Sequence, residues 1–315
     1  MKPMTRYRNA LENIPPPGKG CHAYLLTVAN LGVRAKVKAE AMFADIRPNI
    51  PSGKRRVFDR EIWDAIKKAL LDKTGNVFEP KTKEIPIVKD KSAVLASLIR
   101  TGKISDDADF WGISPVRLFD HPAQDPVVFL KILFKPDDLV FIGERQQPGI
   151  IGTTIRTCDE WVEYYRAGGV SAPFILINPL SGLIAKKKSG DGETLRGDSN
   201  IVIYRYCMVE FDNLNREEQL RFWSAVRLPI VALIDSGGKS IHAWLDVQKL
   251  AKVDTLEQWN SEIKCRLYNR ILAPLGVDAA CSNPARLSRL PGHFRGEKGA
   301  WQKILWLSPE GRTIT

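Results

Sequence analysis

Long apolar runs, paired cysteines and clustered histidines are all missing from this 315-residue chain, and each absence removes a class of protein. No apolar run approaches the roughly 20 residues a membrane helix needs, so no membrane partner is expected. The N-terminal residues lack the core of a signal peptide. The five cysteines (Cys21, Cys158, Cys207, Cys265, Cys281) are scattered, odd in number and without a C-x-x-C pair. They read as reduced thiols, against both a disulfide framework and a zinc cluster. The expectation is a cytoplasmic protein. Internal repeats and low-complexity tracts are also missing.

What is present is positive charge. Lys and Arg number 47 against 36 Asp and Glu, a net charge of +11, with a pI near 9.4. Such a balance favours a polyanionic partner, nucleic acid above all. With 44% hydrophobic residues the chain can bury a sizeable core, and its length suits two domains. Residues 1–75 hold 15 Lys/Arg against 7 Asp/Glu, so +8 of the total lies there. Their apolar residues recur at three- and four-residue spacing, which predicts a helical, basic accessory module. Asp59 is a candidate N-cap for a helix from Arg60 to Leu71. Residues 76–125 read as a connecting segment, with a short helix over Ser92–Arg100 and Ser105–Asp109 as loop or helix-cap chemistry. From 126 to 315 strands and helices alternate. Within that part, Lys186–Lys188 and Arg196 belong to a Gly-rich polar loop that could reach a phosphate ligand.

The chain is organised around Tyr204–Trp244. An apolar strand ends in Glu210-Phe211-Asp212, and alternation along a strand points both carboxylates the same way. Two like charges on one face resist burial unless a cation lies between them. Hard oxygen donors favour Mg²⁺ or Mn²⁺ there. A second apolar strand, Val231–Ile234, turns on Gly237-Gly238 and presents Lys239, Ser240 and His242. Backbone N–H groups, an ammonium, a hydroxyl and an imidazole together suit a phosphate. Acids that bind metal beside a turn that binds phosphate suggest phosphoryl or nucleotidyl transfer.

At these residues the chain resembles the archaeo-eukaryotic primase superfamily, in particular the primase-polymerases of phages, plasmids and mobile elements. Val209-Glu210-Phe211-Asp212 is similar to its acidic first motif, with Glu where Asp is commoner. Ser240-Ile241-His242 is similar to its Ser-x-His motif, and Val277-Asp278 to its third. The run Asn283–Gly292, with Arg286 and Arg289, is also typical of the group. The resemblance implies an α+β fold: an α/β unit beside an RRM-like sheet over 126–315, with an N-terminal helical domain. It implies a DNA primase-polymerase in which Glu210, Asp212 and Asp278 bind Mg²⁺ or Mn²⁺. Ser240, His242, Lys239, Arg286 and Arg289 would hold the nucleoside triphosphate. The implied partners are single-stranded DNA template, nucleoside triphosphates and a separate helicase, since no motor motif is visible. The alternative is a non-catalytic nucleic-acid-binding or replication-initiation module.

Other phosphate chemistries fail on spacing. A Walker A loop would need a glycine at Leu233, five positions before Gly238. The four histidines (His22, His121, His242, His293) stand apart, so a nickase's His-x-His metal pair is missing. Asp235 is followed by Ser236-Gly237-Gly238, not by the second acid of a topoisomerase-primase strand.

Overall fold

The computed structural model of the chain describes residues 2–53, 57–74, 91–187, 190 and 192–314. The chain divides into two compact units, Met1–Pro86 and Ile87–Thr315.

Among the described residues the first unit packs α1 (Pro3–Glu12), α2 (Cys21–Arg34), α3 (Ala39–Asn49) and α4 (Asp59–Thr74). Cys21, Leu25, Val28, Ala29 and Val33 form one apolar stripe along α2 and are all buried. They meet Tyr7, Met42, Ile46, Ile62 and Ile66 in a core of their own. Gly32 makes the α2–α3 approach possible, because a Cβ there would lie 2.5 Å from Met42 Sδ. Phe43 stacks on Trp63 with centroids 4.7 Å apart. Arg6, Arg8, Arg34, Lys36 and Lys38 are exposed. His22 is exposed too and lies 3.3 Å from Glu61.

The second unit begins with α5 (Ser92–Thr101) and α6 (Asp107–Gly112). Both lie in the stretch read from the sequence as a connecting segment over 76–125. Residues 75–90 lie outside the described residues, but the two helices after them are built into this unit. Leu95, Leu98 and Ile99 pack on its core, and Phe110 is fully buried in it. Asp106 caps α6 by accepting from Ala108 N–H at 2.6 Å. Asp107 pairs with Arg216 at 2.8 Å and Lys303 at 3.2 Å, so these acids serve the fold.

The chain continues through α7 (Asp125–Leu133), β1 (Leu139–Gly143), β2 (Ile155–Thr157), α8 (Cys158–Arg166) and β3 (Phe174–Leu176). Next come β4 (Ala185–Lys186), β5 (Glu193–Thr194), β6 (Tyr206–Val209), α9 (Arg216–Ala225), β7 (Ile230–Asp235) and β8 (Ile241–Asp246). Helices α10 (Val247–Leu250) and α11 (Leu256–Gln258) follow, and α11 runs on into a π-wound helix over Trp259–Leu272. Strands β9 (Leu287–Arg289), β10 (Phe294–Arg295), β11 (Ala300–Trp301) and β12 (Lys303–Arg312) close the chain. This mixture of helices and antiparallel sheets is an α+β fold.

Two four-stranded sheets carry the unit, in the orders β2-β1-β3-β9 and β12-β7-β8-β6. The second has the succession strand–helix–strand–strand–helix–strand of a split βαβ motif. Its two central strands are buried along nearly their whole length, and β7 accordingly reads as an unbroken apolar run from Ile230 to Ile234. Trp223, Trp244, Trp259 and Trp306 are fully buried in the core. β9 returns the chain to the first sheet by pairing with β3, so the two sheets are interlocked. Buried Asn178 strengthens the join. Its amide donates to the carbonyls of Tyr206 and Pro284 and accepts from the N–H groups of Arg205 and Tyr206, all within 3.0 Å.

Candidate active site

Glu210 directly follows β6. Phe211 forms a bridge with Val277, and Asp278 N–H donates to the Glu210 carbonyl at 3.1 Å. Backbone pairing thus brings two of the three expected acids side by side although 68 positions separate them in sequence. Asp278 caps the short turn Ala279–Ser282, its Oδ1 accepting from Ala280 N–H at 2.9 Å. Its Oδ2 lies 3.4 Å from Cys281 Sγ and 3.6 Å from Arg286 Nη2.

Glu210 is the hub. His242 Nε2 is 3.1 Å from Oε2, and Ser240 Oγ donates to the same oxygen at 3.3 Å. Cys281 Sγ is 3.1 Å and Arg286 Nη2 3.5 Å from Oε1. Burial pushes the Glu210 carboxyl upward. The hydrogen bonds from His242 and Cys281 and the charge of Arg286 outweigh that and hold it far below the usual carboxylate range.

The β7–β8 turn sets the other side. Asp235 Oδ1 accepts from Gly237 N–H at 2.9 Å, and Ser236 N–H closes the hairpin on Ser240. Gly237 has φ 65, and a Cβ there would meet the Trp301 backbone at 3.2 Å. Behind the turn, fully buried Gln219 donates to the carbonyls of Leu214 and Lys239 and accepts from Ile241 N–H.

A cavity of about 140 Å³ opens between the sheets at this point. Five cations, Arg145, Lys239, Arg286, Arg289 and Arg295, line it with a single carboxylate, Glu210. Arg145 and Arg289 both stand over the Phe174 ring, at 5.4 and 4.4 Å. Burial, then the charges of Arg295 and Arg145, push Arg289 below the ordinary guanidinium range. So many like charges in one concavity suit a polyanion.

Of the residues singled out in the sequence, Glu210, Lys239, Ser240, His242, Arg286 and Arg289 share this cavity, and Asp278 adjoins Glu210. Asp212 stands apart. It is exposed, one position past the Phe211 bridge, and its carbonyl accepts from Lys239 Nζ. Among the described residues the close set of metal-binding groups is Glu210, Asp278 and Cys281, with ligand atoms within 4.8 Å of one another. Its donors fit a divalent cation, and Arg286 already places positive charge between the two carboxylates. His242 is 5% exposed and has partners at both nitrogens.

Arg145, Arg295, Ser288, Gln219 and Cys281 were not singled out. Cys281 had a signal: it follows Asp278 by three positions, the spacing that superposes side chains on a 3₁₀ turn. Arg196 reaches the Arg145 carbonyl at 2.7 Å and packs on Phe141. With Lys187 it lines a separate, larger cavity of about 530 Å³ that holds none of the residues around Glu210. Lys188 lies outside the described residues. No helix among the described residues is long and apolar enough to cross a membrane.

No family model and no curated protein matches the sequence. Among solved structures, the chain is similar to the AEP domain of a primase-polymerase from cyanophage S-2L. The identity is 18% and the TM-score 0.39, over 59% of this chain and 91% of that one.

Proposed function

We propose that the chain is a metal-dependent nucleotidyltransferase of primase-polymerase type, which extends nucleic acid on a single-stranded DNA template. The observation that carries the reading is the pairing of the Glu210–Asp278 acids with a cavity lined by five cations. Nucleotidyl transfer needs both: carboxylates to hold Mg²⁺ or Mn²⁺, and fixed positive charge for the triphosphate. When bound, the cation would lower the pKa of an attacking 3′-OH and neutralise charge on the departing pyrophosphate.

In this reading Glu210 and Asp278 hold the metal, and Asp212 completes the set by turning inward from its exposed position. Arg145, Arg289 and Arg295 bind the triphosphate, with Lys239 and Ser240 at the turn. His242 donates its Nε2–H to Glu210 and so aims that carboxylate. Arg286, which neutralises the acids here, follows the phosphates when metal arrives. The exposed basic side chains of the first unit add salt-sensitive template binding.

The outward position of Asp212 favours a second reading, a nucleic-acid-binding module without turnover. Primer extension on single-stranded DNA with Mg²⁺ or Mn²⁺ separates the two. Extension by the parent, lost in Glu210→Gln and Asp278→Asn while DNA binding persists, supports the enzyme. Binding without extension in the parent supports the module.

A further inference from the structure

We propose that Cys281 is a metal ligand, and that Glu210, Asp278 and Cys281 bind a borderline divalent cation of the Zn²⁺ or Co²⁺ kind through two carboxylates and a thiolate. The inference rests on reading this cleft as a metal site and specifies which cations it selects.

The spacing of the donor atoms suits a shared cation. Cys281 Sγ stands 3.1 Å from Glu210 Oε1 and 3.4 Å from Asp278 Oδ2. A metal about 2.3 Å from sulfur and about 2.1 Å from oxygen sets those atoms roughly 3.1 Å apart at a right angle. At the tetrahedral angle the separation becomes roughly 3.6 Å, so both observed values fall within the range. The Asp278 oxygens divide the work, since Oδ1 is engaged by Ala280 N–H and Oδ2 faces the sulfur. Cys281 differs in this from Cys158, whose thiol meets the Leu130 carbonyl, and from Cys265, which is exposed.

Charge gives an independent argument. His242 and Ser240 engage Glu210 Oε2, whereas Glu210 Oε1 and Asp278 Oδ2 share the Cys281 S–H and one guanidinium, with Arg286 Nη2 at 3.5 and 3.6 Å. A dication takes the place of the thiol proton: the S–H bond breaks, a sulfur–metal bond forms, and the proton leaves to solvent. Thiolate is a soft donor and favours Zn²⁺ and its neighbours over Mg²⁺. A cleft with oxygen donors alone would discriminate less between them.

The test uses the full chain, reduced and stripped of metal, titrated with Co²⁺ alone. Sulfur-to-cobalt charge-transfer absorption reports thiolate ligation directly and needs no turnover. The expected result is a saturable band in the parent that Zn²⁺ abolishes by competition. Cys281→Ser should lose the band and weaken Zn²⁺ binding by roughly tenfold or more. Cys265→Ser should keep both. A cobalt complex of the parent without the band overturns the proposal, whatever the variants do. So does a band that persists in Cys281→Ser. Primer extension in parallel separates the two readings. No band with Glu210-dependent extension removes Cys281 and leaves the enzyme standing. A Cys281-dependent band without extension keeps the ligand and removes the enzyme.

Discussion

His242 on β8 and Ser288 on β9 share a hydrogen bond of 3.0 Å that ties one sheet to the other. Trp244 Nε1 donates to the same serine oxygen at 2.8 Å. Arg289 N–H points at His242 Nδ1 from 3.2 Å, so Nδ1 is the accepting nitrogen and the proton on Nε2 faces Glu210. The relay thus runs from a core tryptophan to the hub carboxylate.

Removing its middle member should be costly. Ser288→Ala leaves the Trp244 N–H buried without an acceptor, a loss of about 1–3 kcal/mol. Urea denaturation reads it as a lower midpoint at an unchanged slope. A midpoint equal to the parent's would mean that the serine is not needed to hold the two sheets together.

Gln219 should behave similarly on the other side of the turn. Gln219→Leu keeps much of the volume but strands the buried Ile241 N–H, which now donates at 2.8 Å. The expected cost is about 1–3 kcal/mol. Lys239 and Ser240 would lose their fixed placement, so nucleotide affinity should fall with stability. Thermal melting and nucleotide titration on the same sample check both. Lower stability with unchanged nucleotide binding would separate the turn from the ligand site.

Glu210 and the β7–β8 turn were legible in the sequence because each lies at a strand end, where alternation and glycine placement constrain geometry, whereas Asp278 came only with the resemblance. Glu210 and Ser240 were readable in that way. Alternation also placed Asp212 beside Glu210, but the regular strand ends at Val209 and a bend carries Asp212 outward. What was not legible depends on pairing across the chain. Arg145, Ser288 and Arg295 come from a loop after β1 and from two later strands, and only the interlocking of the sheets converges them. The helices α5 and α6 read as a connection because their sequences are short and, around 105–109, polar. It is Arg216 and Lys303, far along the chain, that neutralise Asp107 and fasten α6, while Leu95, Leu98 and Ile99 hold α5 to the core.

Single-stranded DNA should use the β10–β11 hairpin beside the cavity. Phe294 is 45% exposed and packs against Trp301 with centroids 5.2 Å apart, next to cavity-lining Arg295. An exposed ring beside a basic cleft is a stacking platform for a base. Phe294→Ala should weaken single-stranded DNA binding by about 1–3 kcal/mol while leaving its salt slope unchanged. Anisotropy titrations at several salt concentrations give both quantities. Unaltered affinity would remove the hairpin from the template path.

The last expectation concerns pH and a residue outside the cavity. Asp125, at the start of α7, is 2% exposed and accepts Ile304 N–H at 2.8 Å. Burial raises its carboxyl to about 7, against the smaller opposing effects of that hydrogen bond and of Lys303. An unfolded aspartate ionises near 3.9, so between about pH 4 and pH 7 the folded chain holds a proton that the unfolded chain has released. Stability from this group is therefore fully present below pH 4. It declines as pH rises to 7 and stays lost above that, by on the order of 2–4 kcal/mol. Asp125→Asn still offers an oxygen to Ile304 N–H but carries no charge. The variant's stability advantage over the parent should grow from pH 4 to pH 7 and then level off. Denaturation midpoints at pH 4, 5.5, 7 and 8.5 would test this at roughly unit-and-a-half spacing. An advantage that is the same at all four would show that Asp125 ionises like an ordinary surface carboxylate, and that α7 tolerates its buried charge.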